Sequence, residues 1–138
     1  MEQNLRILGL AKKASLLAIG LDDVSKAARL KDVSLIISAS DASDGAKRRA
    51  ANDANFCSAV YAQIPYTMQE LGVMTGRGSP GTIAFLEPGL AARFLKGLAI
   101  EQPEIFQESV GLLEQKAANM KTQTKKAKHS AGIGRAAI

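Results

Sequence analysis

The chain contains no tryptophan, and among its 138 residues are only two tyrosines, four phenylalanines, one cysteine and one histidine. With so few rings the core must be filled by Leu, Ile, Val and Ala, and the composition argues against a run of aromatic platforms for stacking single-stranded bases. Cys57 follows Phe56 in a largely apolar stretch; alone, it rules out an internal disulfide and a multi-cysteine metal site, and it suits a reducing cytoplasm. His129 falls in a C-terminal stretch without apolar period, so the side chain most often recruited for general acid–base work has no structured setting. Cys57 therefore lacks a histidine partner outside that stretch, which favours a core cysteine over a nucleophile. No apolar run approaches the roughly 18 residues of a membrane span, and the acidic and polar N-terminus is unlike a signal peptide. The expectation is a soluble, cytoplasmic, non-catalytic protein with no cofactor and no metal site.

Charge is plentiful but unevenly placed. Lys116, Lys121, Lys125, Lys126, Lys128 and Arg135 lie in residues 116–138 without an acid, leaving 12 of the 18 cations to face all 13 acids in the first 115 residues. A basic tail on a nearly neutral body suggests a polyanion partner, although solubilising disordered ends have the same composition.

The chain is organised around Ile19 to Arg49. Val33, Leu35, Ile36 and Ile37, bounded by Asp32 and the small polar run Ser38 to Ser43, read as a central strand covered on both faces. On each side a loop delivers a helix N-terminus, with Asp22 and Asp23 before the strand and Ser43 and Asp44 after it. Two sets of unpaired backbone N–H groups should then open near one sheet edge. Ile7, Leu10, Ala11 and Ala14 give an amphipathic helix over 2–14, and Leu16 to Ile19 a first strand. The second helix, about Asp22 to Leu30, should bury Val24, Ala27 and Ala28, be capped by Asp22, and pair Asp22 with Lys26. A third helix, from Ser43 or Asp44 to about Asn55, should bury Ala46, Ala50 and Ala54. It carries Lys47, Arg48 and Arg49 in its first turns, where the helix dipole disfavours cations unless an anion offsets them.

Ala59 to Ile64 is a third strand stopped by Pro65, and Thr67 with Glu70 forms a capping box for a helix ending near Gly76. Thr82 to Leu86 is a fourth strand, and Pro88 begins a helix to about Leu98. The segment Gly76 to Gly81, GRGSPG, matches GxGxxG letter for letter. Its glycines, however, follow a helix and precede a strand, the reverse of the dinucleotide-binding order, and Pro80 removes a backbone donor. Beyond Pro103, Phe106, Val110, Leu113 and Ala117 can line one side of another helix made acidic by Glu101, Glu104, Glu108 and Glu114. From Asn119 the composition is that of a disordered chain. Strand–helix alternation predicts an α/β fold, a three-layer α/β/α sandwich around a four-stranded mixed sheet with a C-terminal extension. The expected divisions are a domain over 1–98, an extra helix within 99–118 and a basic tail over 119–138.

GLDDVSKAARL, the apolar strand, DASDGAKRR, the helix ending ELG, a short loop and TIAFLEPGLA follow one another within residues 3–98. Their order and spacing resemble the kink-turn RNA-binding ribosomal protein superfamily of L-seven-Ae and L-thirty-e, closest to its bacterial YlxQ-type branch. The resemblance implies a non-enzymatic protein that clamps a sharply bent structured RNA, ribosomal RNA among the candidates, in a translation-associated ribonucleoprotein. The family opens helix two with glycine, any residue, Asn-Glu, any residue, Thr-Lys, and reads sheared G·A pairs there. The matching positions are Gly20, Asp22, Asp23, Ser25 and Lys26. Gly20 and Lys26 keep the pattern and Ser25 keeps the hydroxyl, whereas Asp22 lacks the amide donor and Asp23 has a shorter carboxylate arm. The family's acidic residue before the DAS segment is Ser40 here. Its second contact region falls on Gly76 to Gly81, which implies Arg77, Ser79 and Pro80 as contacts.

The residues themselves add that Lys26, Arg29, Lys47, Arg48 and Arg77 arise at successive loop–helix junctions, which this topology can bring to one edge where bent RNA concentrates phosphates. Two alternatives stay open: a protein-interaction adaptor docking through Phe106, Val110 and Leu113, and a small RNA-modifying or nucleotide-dependent enzyme.

Overall fold

The computed structural model describes residues 2–30 and 33–119. The apolar run at its centre forms β2 (Leu35–Ser38), every residue of which is buried. It lies between β3 (Val60–Gln63), which runs parallel to it, and β4 (Thr82–Phe85), which runs antiparallel. The short β1 (Leu17–Ile19) pairs antiparallel with the other side of β4, so the mixed sheet has the order β1-β4-β2-β3. Ser38 lies opposite both Thr82 and Gln63, and Ile19 opposite Ile83. β1, β2 and β3 therefore end, and β4 begins, at the same end of the sheet.

The two-residue period of the strands sorts the core into two layers. Leu35, Ile37, Ile83 and Phe85 join Leu8, Leu71, Phe94 and Leu95 beneath α1 (Glu2–Lys13), α4 (Met68–Thr75) and α5 (Pro88–Glu101). On the other face Ile36 and Ala84 meet Val24, Ala50 and Ala54 of α2 (Leu21–Arg29) and α3 (Asp44–Cys57). Both faces of β2 are thus covered, and each fully buried Leu or Ile contributes about 1.5–3 kcal/mol relative to leaving it exposed. The architecture is the expected three-layer α/β/α sandwich.

Three amphipathic stripes come out differently from the apolar spacing, the mildest in α2, where Ala27 is only partly buried. α1 buries Asn4, Leu8 and Ala11, while Leu10 is 57% exposed and Ala14 is exposed as well. The face rotates because Asn4 belongs to it: its Nδ2 donates to the Tyr66 hydroxyl at 3.3 Å, and it sits where a side chain on Gly97 would have to be. A count of apolar residues cannot see a buried amide. In α3, Ala50 and Ala54 are buried but Ala46 is only partly so.

A sixth helix, α6, covers residues 103–119. Its Phe106, Val110 and Leu113 are buried in the same cluster as Ala62 and Ile64. That stripe packs onto its own domain and is not free to dock a partner, which removes the basis of the adaptor reading in that form. α5 continues to Glu101, past residue 98. Residues 120–138, with His129 and five of the six tail cations, lie outside the described residues. Among the described residues no helix is long and apolar enough to cross a membrane.

Candidate nucleic-acid interface

Because β1, β2 and β3 end together, the segments that follow them meet at one end of the sheet. Backbone bonds lace them: Gly20 N–H donates to Thr82 O, Ala39 N–H to Gly81 O and Ser40 N–H to Tyr66 O, each at 2.9 Å. The N-termini of α2, α3 and α4 open onto this platform. The loop from Gly76 to Gly81 folds back along α4, where a Cβ on Gly72 would overlap the Gly78 carbonyl, and returns at Gly81 to Met68 and Ala42.

The three N-termini are finished differently. Thr67 Oγ1 accepts from Glu70 N–H at 3.2 Å while Glu70 Oε1 accepts from Thr67 N–H at 3.0 Å, closing the capping box of α4. Asp41 Oδ1 accepts from Met68 N–H at 2.8 Å as well. α3 is capped once, by Ser43 Oγ accepting from Ala46 N–H at 3.1 Å. α2 has no side-chain cap at all. Its cap position is Gly20, at φ 97° and ψ 152°, a backbone conformation open essentially to glycine alone. Asp22, expected as the cap, lies inside the first turn and caps nothing. The end of α2 thus offers backbone donors and the positive end of its dipole.

Asp22 also departs from its expected pairing with Lys26. Its Oδ1 instead accepts from Arg49 Nη2 of α3 at 3.2 Å, a pair whose side chains are 88% and 44% exposed. Arg49 Nε donates to Ser25 Oγ at 3.1 Å, and Ser25 Oγ donates to Asp53 Oδ2 at 2.6 Å. Ser25 is 4% exposed, so its hydroxyl joins α2 to α3 and does not face a ligand. Arg49 was absent from the candidate contacts. The only sequence signal for it was its place among three consecutive cations, since its partners lie 24 and 27 residues away.

The remaining candidates divide by position. Asp23 and Lys26 are exposed on the first two turns of α2, and Arg48 is exposed on α3. Lys47 is partly buried and its Nζ donates to Ser40 O at 3.1 Å, so part of the cationic excess at the start of α3 is met by a carbonyl. Arg29 is exposed but closes α2, about 12 Å from its first residue at 1.5 Å per residue. That places it toward the opposite end of the sheet from Gly20, and the expected convergence of cations does not include it. Arg77 directly follows the C-cap Gly76, at the far end of α4, whereas Ser79 and Pro80 lie on the returning limb of the loop. Lys12 of α1 joins Arg77 there, its Nζ 3.2 Å from where a Cβ on Gly76 would stand.

No family model and no curated protein matches this chain. Solved structures do match, 177 chains of them. One is described as the structure of a protein with unknown function from Bacillus halodurans C. It is 26% identical, with a TM-score of 0.62, over 68% of this chain and 94% of that one. The likeness supports a shared domain nearly as long as the whole of that protein, with the rest of this chain as an addition. That protein's function is itself unstated, so chemical inference rests on the platform.

The platform carries polar and cationic groups. Among the described residues no cluster of His, Cys, Asp or Glu is placed to hold a metal ion. Cys57 is partly buried at the end of α3, with Sγ 3.8 Å from Ala54 O. Burial raises the Tyr66 phenol above 10.0, with weaker upward contributions from Glu101 and Glu70 against the lowering effect of the Asn4 hydrogen bond.

Proposed function

We propose that this protein is a non-catalytic, cytoplasmic RNA-binding protein that grips a sharply bent structured RNA, of the kink-turn kind, across the sheet end where α2 opens. The observation that carries this reading is the uncapped N-terminus of α2 set in a platform whose other helix ends are capped. An open helix end presents backbone N–H groups and positive potential to phosphate or to base-edge acceptors. Lys26 and Arg48, one to two turns along α2 and α3, add cations for the converging strands of a bent RNA. The Gly76–Gly81 loop, held against α4, supplies a second, shape-fitted contact through Ser79 and Pro80, with Arg77 and Lys12 beyond it. Recognition by shape and backbone suits a chain poor in aromatic residues.

The resemblance of GLDDVSKAARL and DASDGAKRR to the L-seven-Ae and L-thirty-e superfamily supports the same surface and a place in a ribosomal or other translation-associated ribonucleoprotein. Within it, Gly20, Asp22, Asp23 and Lys26 form the reading edge, and Ser25 holds that edge in place from behind. The Asp22–Arg49 pair changes what the edge presents: Asp22 is not a bare carboxylate, and a guanidinium donor stands beside it.

Crosslinking RNA to the protein by ultraviolet light, followed by mass spectrometry of the peptides, tests the reading. Crosslinks are expected within residues 20–30 and 76–82. Crosslinks confined to the tail beyond residue 119 would overturn it, because the folded platform would then not be the reader.

A further inference from the structure

Away from that platform, α1 and α5 enclose a groove of about 510 Å³ lined by Arg6, Ile7, Leu10, Arg93 and Lys96, with Asn4 and Gly97 at its base. Arg6, Arg93 and Lys96 are exposed, and no carboxylate among the described side chains pairs with them. The groove thus joins basic side chains to the apolar Ile7 and Leu10. α6 carries the opposite combination. Its outward side exposes Glu104 and Glu108 beside Ile105 and Leu112, which are 55% and 50% exposed. Ile105 and Leu112 are seven residues apart and Glu104 and Glu108 four, spacings that keep each pair on one side of the helix. Leu10, Ile105, Leu112 and Ile100, the last on the same side of α5 as Arg93 and Lys96, are four of the seven exposed large hydrophobic side chains among the described residues.

We propose that the α1–α5 groove is a self-association surface whose occupant is α6 of a second copy of this chain. Charge complementarity selects that occupant, with Glu104 and Glu108 meeting Arg93, Lys96 and Arg6 while Ile105 and Leu112 cover Leu10 and Ile7. A phosphate backbone would satisfy the cations but leave Ile7, Leu10 and the apolar flank of α6 in water. α1, α5 and α6 pack into the core on the same face of the sheet, and α6 follows α5 after Gln102. A twofold axis can therefore place each copy's α6 in the other's groove, giving two identical contacts in a closed dimer. The inference does not depend on RNA being the ligand.

Sedimentation velocity of the nuclease-treated full chain at about 100 µM, a concentration that reveals even a weak dimer, tests it. At low salt the wild type is expected as a dimer that dissociates as salt rises. The double variants Arg93→Glu/Lys96→Glu and Glu104→Lys/Glu108→Lys should each be monomeric, with unchanged circular dichroism because all four side chains are exposed. An equimolar mixture of the two should recover the dimer, since one of its two contacts is inverted and the other native. A monomeric wild type, variants that stay dimeric, or a mixture that fails to recover would each overturn the proposal. A monomeric wild type with RNA affinity lowered in the Arg93→Glu/Lys96→Glu variant would assign the groove to nucleic acid instead.

Discussion

The N-termini of α2 and α4 open at the same end of one sheet and are finished in opposite ways. α4 has a closed capping box and an additional carboxylate, Asp41, brought from the loop after β2. α2 has a glycine and no side-chain cap. A helix end costs stability when its donors go unmet away from water, so the sealed end is the one that serves the fold. The open end keeps its donors for water or a ligand. Ser25, Asp53 and Arg49 hold α2 in place from behind, so it needs no cap to keep its position. Under the proposed function, the sealed end anchors the platform and the open end reads the RNA.

The largest expected effect strains the open end. Gly20→Ala meets no atom within 4 Å, so only the backbone conformation opposes it, at about 1–3 kcal/mol. Urea denaturation should show that loss. A neutral outcome would mean that the chain re-routes at residue 20 and that the shape of this end is not fixed. Unsealing α4 comes next. Thr67→Ala should cost about 1 kcal/mol in the same assay, and it should leave RNA affinity unchanged once the fraction folded is accounted for. A large change in affinity without a loss of stability would reverse the roles assigned to the two ends.

The sealed side should also carry an alkaline dependence. The Tyr66 phenol is held above 10.0 in the folded chain, chiefly by burial. Above pH 10 the unfolded chain releases this proton while the folded chain keeps it. The stability contribution is thus whole below pH 10 and is lost as pH rises through the folded pKa. Tyr66→Phe should flatten that part of a stability–pH curve, and an unchanged slope would place the dependence elsewhere. The smallest effect lies at the open end. Arg49→Lys breaks the fork that reaches Ser25 and Asp22, but with Asp22 largely exposed the ion pair itself is worth at most about 0.2–1 kcal/mol. The difference in melting temperature between variant and wild type should narrow as salt rises.

The contrast between the ends also explains what could be read from the chain. The seal on α4 was legible because Thr67 and Glu70 are three residues apart and their bonds are local. The strands were legible from their apolar runs, and with them the layer order. The open end was only half legible. Gly20 marked the turn, but Asp22 looked like a cap and a partner for Lys26, because a sequence shows what lies four residues away and not what α3 brings alongside. Ser25 could be matched only to the family's contact hydroxyl, because a polar side chain buried by two long-range bonds leaves no periodic trace. Asn4 turned the face of α1 for the same reason. Arg29 was grouped with the platform because its neighbours in sequence are there, although the rise of α2 carries it away.

The proposed function requires that the open end read a bend in RNA and not charge alone. It is tested by titrating the protein against a kink-turn RNA and against the same RNA with its G·A pairs replaced by Watson–Crick pairs, each with the wild type and with Lys26→Ala. The wild type is expected to bind the kinked RNA about tenfold more tightly or better, a difference of at least about 1.4 kcal/mol, and Lys26→Ala to weaken binding to both RNAs. Equal wild-type affinities for the two RNAs, with Lys26→Ala without effect on either, would contradict it and leave the start of α2 as a solvated helix end.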